Sequence, residues 1–182
     1  MGFLQNELTT VHVVEGIFPW LPPTEDEIRR SDAAAFAAGG LDRAKCLHEL
    51  FMLKAALGLE YGMGLLETLG LRPEGIEQFH AFYVQRLAEG VAGSFPSGRE
   101  AAVGLLASRL KAYGAALHGK HPEDPHLAVA DAFTRFCGAA DEPGLVSFCL
   151  DTCKAMNRRF LKELSDFGLR TTDNPARPGG KD

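Results

Sequence analysis

The chain has 182 residues, 46% of them hydrophobic and 24% charged, which is the make-up of a single globular domain long enough to bury a real core. Its formal charge of −5 is uneven: residues 1–100 carry 8 Lys and Arg against 14 Asp and Glu, and residues 101–182 carry 11 against 10. Neither half is the basic face that phosphate contacts require, so a nucleic-acid partner is not expected.

Residues 1–16 place Leu4, Leu8, Val11 and Val14 at three- and four-residue steps, the stripe of one helix. Three prolines then punctuate Ile17-Phe18-Pro19-Trp20-Leu21-Pro22-Pro23, which predicts an extended strap laid over the bundle, so that residues 1–23 form an N-terminal helix and strap. Thr24-Glu25-Asp26-Glu27 is a capping box that opens a helix ended by Gly39-Gly40. Asp42 caps the long central helix, predicted over 42–69, with Gly70 as its stop. Pro73 opens the next, over about 73–92. Ser97-Gly98-Arg99-Glu100 is a second capping box, starting a helix to about His118; Asp124-Pro125 starts one to about Ala140 and Asp141-Glu142-Pro143 one to about Phe167. The tail from Arg170, rich in proline and glycine, is expected to be disordered. No stretch alternates with period two, so the predicted fold is all-α: a bundle of six or seven helices over residues 24–169, built around the buried central helix, with essentially no β-sheet.

No charged n-region leads into an apolar run at the N-terminus. The best apolar stretch is interrupted by Lys54, Glu60 and Glu67, short of the roughly 18 residues a membrane helix needs. With Cys46, Cys137, Cys149 and Cys153 set in helical patterns as reduced core thiols, the expectation is a cytoplasmic protein without a membrane segment.

On a helical wheel the central helix gathers Lys45, Glu49, Glu60 and Glu67 into one polar sector, where solvent should be. Lys54 falls on the far side with Gly58 and Gly62. Close helix packing explains the two glycines most simply, and a ligand slot with Lys54 as its anion anchor is the functional alternative. The wheel of the next helix puts His80 among Ile76, Tyr83, Val84, Leu87 and Val91, with Glu77 one turn away at the edge. A core histidine bonded to Glu77 or a carbonyl is the plain reading, and a metal, haem or ligand contact the sharper one. Glu77-x-x-His80 also resembles half of a di-metal bundle motif, but no second Glu-x-x-His lies within a predicted helix. Cys149 and Cys153 share the inner face of the last helix and Cys137 that of the helix before, so three thiols could meet; the Cys-x-x-Cys spacing of a zinc site is absent.

Three of six histidines, His118, His121 and His126, crowd one loop. The run Leu117-His118 followed by Lys120-His121 and Pro122-Glu123 resembles the stretch around the proximal histidine of globins, which would make His118 a haem ligand. His118 itself shares the polar face with Glu100 and Lys111, as a capping residue would. Pro122-Glu123-Asp124-Pro125-His126 resembles the Pro-x-Asp-His loop of helical redox-enzyme maturation chaperones, with Pro125 intervening between Asp124 and His126. Each resemblance spans under a sixth of the chain, and membership of neither family is inferred.

No Gly-rich phosphate loop, G-x-S-x-G, H-E-x-x-H or Cys-x-x-Cys occurs. The functional expectation is a non-enzymatic helical domain that binds a protein partner or a second copy of itself through the strap and a helix face, with no cofactor. The alternative is a helical pocket protein taking a metal, haem or an apolar small molecule near His80, Glu77, Lys54, Gly58 and Gly62.

Overall fold

The computed structural model describes residues 2–91, 99–119 and 124–172, with side chains described for 10–91, 99–119 and 124–163. Seven α-helices follow one another: α1 (Gly2–Ile17), α2 (Glu25–Ala37), α3 (Arg43–Thr68), α4 (Pro73–Val91), α5 (Arg99–Leu117), α6 (Pro125–Cys137) and α7 (Pro143–Thr172). No strand occurs among the described residues. The molecule is an all-α bundle, and α3 is its axis: α1, α2, α4, α5, α6 and α7 all pack against it. From Met52 to Leu59 every residue of α3 is buried, as a run that is apolar but for Lys54 requires.

Local chemistry sets the helix ends. The Thr24 hydroxyl accepts from the Glu27 backbone N–H while the Glu27 carboxylate accepts from the Thr24 N–H at 2.8 Å, a complete capping box. Asp42 and Asp124 cap α3 and α6 by accepting from the backbone N–H of Lys45 and His126. Gly138, at φ 96°, ends α6 at Cys137, three residues short of the expected Ala140, because its left-handed turn closes the last carbonyls. Helix α7 is described through Thr172, past the expected Phe167 and into the start of the predicted tail; residues 173–182, like the Ser97-Gly98 half of the second capping box, lie outside the described residues.

Two expectations need correction. The strap is not extended throughout: Phe18-Pro19-Trp20 forms a single 3₁₀ turn, closed by the Leu21 N–H donating to the Phe18 carbonyl at 3.2 Å. Pro19 sits in the first turn, where its missing N–H has no partner to lose. The second concerns the acidic sector of α3. Glu67 is exposed, but Glu49 is 4% exposed and is clasped by Arg109 of α5, whose Nε and Nη2 donate to its oxygens at 2.7–2.9 Å. The guanidinium lies 3.7 Å over the Phe136 ring of α6, so the ion pair is sealed on one face by an aromatic side chain. A wheel drawn for α3 alone contains no Arg109.

Candidate functional site

Along the flank of α3 that faces the strap runs an apolar groove of about 410 Å³. Phe18, Leu21 and Pro22 of the strap form one side and Ile28 of α2 an end, with Phe51 of α3 and Leu87 of α4 beneath. Phe51 and Ile28 are only partly buried, so the groove leaves their side chains within reach of a partner.

Lys54 holds this wall from behind. It is 1% exposed, and its Nζ donates to the Pro22 carbonyl at 3.1 Å and to Glu27 Oε2 at 2.8 Å. That same Glu27 oxygen accepts from the Thr24 N–H, so the cap of α2, the strap and the central helix meet in one charge-assisted network. On the other side Phe18 stacks edge-on against Tyr83 at 5.6 Å, and Arg86, bonded to Glu15 of α1, lies over the Phe18 ring.

A second cleft, of about 370 Å³, opens between α3, α4 and α5. Its floor is Leu59, Met63, Val84 and Leu110, and its polar groups are Glu60, His80 and Lys111. Glu60 Oε2 pairs with His118 Nε2 at 2.6 Å, and its other oxygen lies against Gly114, where an added Cβ would stand 2.9 Å away.

The structure therefore separates the residues that the sequence grouped. Gly58 and Gly62 receive Tyr83, Ile17 and Phe79: a Cβ at Gly58 would stand 2.5 Å from the Tyr83 hydroxyl, and one at Gly62 would run into the Phe79 ring. The supposed slot is filled by α1 and α4. Lys54 is engaged by Glu27 and Pro22, facing a polar pocket under α2 and α7, while His80 belongs to the second cleft. His80 is exposed, not central to the apolar face, because the buried positions of α4 are Gly75, Phe79, Tyr83, Leu87 and Val91 and His80 stands one residue, about 100°, round from Phe79. Glu77 is exposed as well and lines neither groove nor second cleft.

Of the loop histidines, His118 pairs with Glu60, and His126 Nε2 lies 3.1 Å from the Tyr61 hydroxyl with Asp124 near its Nδ1; His121 lies outside the described residues. Both described histidines thus tie the ends of the α5–α6 connection to adjacent residues of α3. The four cysteines are free and buried, and they lie as two neighbouring thiol pairs, Cys46 with Cys137 and Cys149 with Cys153. Burial pushes the Cys46 and Cys137 thiols up, and for Cys149 the neighbouring Cys153 thiol is the first cause, with burial adding in the same direction. Such thiols stay protonated and are poor nucleophiles. Among the described residues no group of three or more His, Cys, Asp or Glu side chains is arranged to hold a metal ion, and no helix is long and apolar enough to cross a membrane.

Sequence reasoning missed the groove, and it pointed toward the second cleft only through His80. The groove draws its walls from the strap and three helices, and the only local sign of it was an apolar strap, Phe18 to Pro22, that had to cover or border something.

No family model matches this sequence, and no curated protein or solved structure is a significant match to it.

Proposed function

We propose that this chain is a non-catalytic helical domain that binds an apolar segment of a partner protein in the groove between the strap, α2, α3 and α4. The observation that carries this reading is the groove itself: about 410 Å³ of open space walled by Phe18, Leu21, Ile28, Phe51 and Leu87, with Lys54 and Arg86 holding the strap as a fixed wall. A preformed apolar recess takes two or three large side chains of a helical or extended segment with little ordering cost on its own side. The four reduced, buried thiols favour the cytoplasm as the setting.

Selection of apolar peptides from a random library, followed by fluorescence anisotropy, tests the reading. Phe51→Asp, at the floor of the groove, should abolish binding of the selected peptides, whereas Lys154→Glu on the exposed face of α7 should leave it unchanged. Light scattering over a range of concentrations separates a second copy of the chain from a different partner. Failure to select any peptide, or binding indifferent to Phe51→Asp in a folded variant, would refute the proposal.

A further inference from the structure

The second cleft is chemically unlike the groove and lies on a different flank of α3. Its floor of Leu59, Met63, Val84 and Leu110 suits a short branched hydrocarbon. Around that floor stand three polar groups with different commitments. His80, on α4, and Lys111, on α5, make no hydrogen bond or ion pair with any described residue, although both border the cleft. Glu60, on α3, is committed on one side only: His118 takes Oε2 at 2.6 Å, and Oε1 is left as an acceptor beside the bare backbone of Gly114. The glycine matters here, since a side chain at that position would displace the carboxylate.

We propose that this cleft binds a small amphiphilic acid bearing a donor next to its carboxylate, the chemistry shared by an apolar α-amino acid and an apolar 2-hydroxy acid. The ligand carboxylate meets Lys111 and His80, the one-sided pair of free donors at the rim. Its ammonium or hydroxyl donates to Glu60 Oε1, which His118 holds in place, and its alkyl group covers Leu59 and Val84. A simple alkyl acid lacks the donor and meets the Glu60 carboxylate unrelieved; an alkyl amine lacks the group that Lys111 attracts. The arrangement thus selects for both groups on one small molecule. It is independent of the peptide groove, and either site can fail without the other.

Isothermal titration calorimetry on the full chain distinguishes the possibilities, with L-leucine, 2-hydroxy-4-methylpentanoate, 4-methylpentanoate and 3-methylbutylamine as probes. Leucine, the hydroxy acid or both should bind saturably, and the donor-free acid and the amine should bind at least about tenfold more weakly, as expected for loss of one charge-assisted contact. Lys111→Gln should weaken the binding about three- to tenfold. Lys111 is exposed, so this variant keeps its fold; Lys154→Gln on α7 should change nothing. Absence of binding by all four probes, equal binding of the amine or of 4-methylpentanoate, or affinity untouched by Lys111→Gln would each overturn the proposal.

Discussion

Lys54 shows how a single residue acquires its meaning from its neighbours. A lysine buried among leucines is costly unless its charge is met, and here Glu27 and the Pro22 carbonyl meet it. Lys54→Met leaves Glu27 facing a hydrocarbon and should destabilise the fold by about 3 kcal/mol in urea denaturation, while adding Glu27→Gln should recover part of the loss. Full additivity of the two substitutions would show that they do not interact. The glycines of α3 give a contrasting pair. Gly62→Ala must push Phe79 aside and should cost about 1–3 kcal/mol, whereas Gly64→Ala, with nothing within 4 Å of the added methyl, should stabilise by about 0.5–1 kcal/mol. A stabilised Gly62→Ala would mean that α3 and α4 are packed more loosely than the structure has them.

Among the elements, the start of α2 does more than begin a helix. Its capping box places Glu27 where Lys54 needs it, so Thr24→Ala should remove the cap, about 1 kcal/mol, and also loosen the strap that walls the groove. Hydrogen exchange should then rise at Leu21 and in the first turn of α2 together; a rise in α2 alone would separate the cap from the strap. The starts of α2, α3 and α6 were legible in the sequence because caps are local devices: Thr24 with Glu27, Asp42 with Lys45 and Asp124 with His126 each act within three residues. The 3₁₀ turn at Phe18–Trp20 was not, because three prolines forbid a long helix but permit one turn with proline at its start, and packing of Leu21 into the core chose between them.

At the scale of the whole molecule, burial sets the response to alkali. Cys46, Cys137 and Cys149 have thiols held above their ordinary range, and Tyr61, Tyr83 and Tyr113 have phenols held above theirs, burial being the first cause for all but Cys149. The unfolded chain releases these protons near pH 8.5 for cysteine and near 10 for tyrosine, while the folded chain retains them. The unfolded state then binds fewer protons, so these groups should leave stability level from pH 7 to about pH 8.5, lower it above that, and lower it more steeply beyond about pH 10. Urea denaturation from pH 7 to 10.5 checks this, and a flat profile would show that the thiols ionise in the native state. In the same vein, a thiol reagent should find four cysteines only after unfolding.

Composition, periodicity and caps by themselves determined an all-α bundle with α3 at its centre, because those signals arise within a few residues of one another. Which face of each helix is covered, and by what, was decided only in three dimensions. The wheel sent Glu49 to solvent and His80 to the core; Arg109, sixty residues from Glu49, reversed the first, and the packing phase of Phe79 and Tyr83 reversed the second. Both recesses belong to that same level. Each is bounded by at least three elements distant in sequence, and the free volume left where helices of unequal side chains meet is a property of their assembly, not of any one of them.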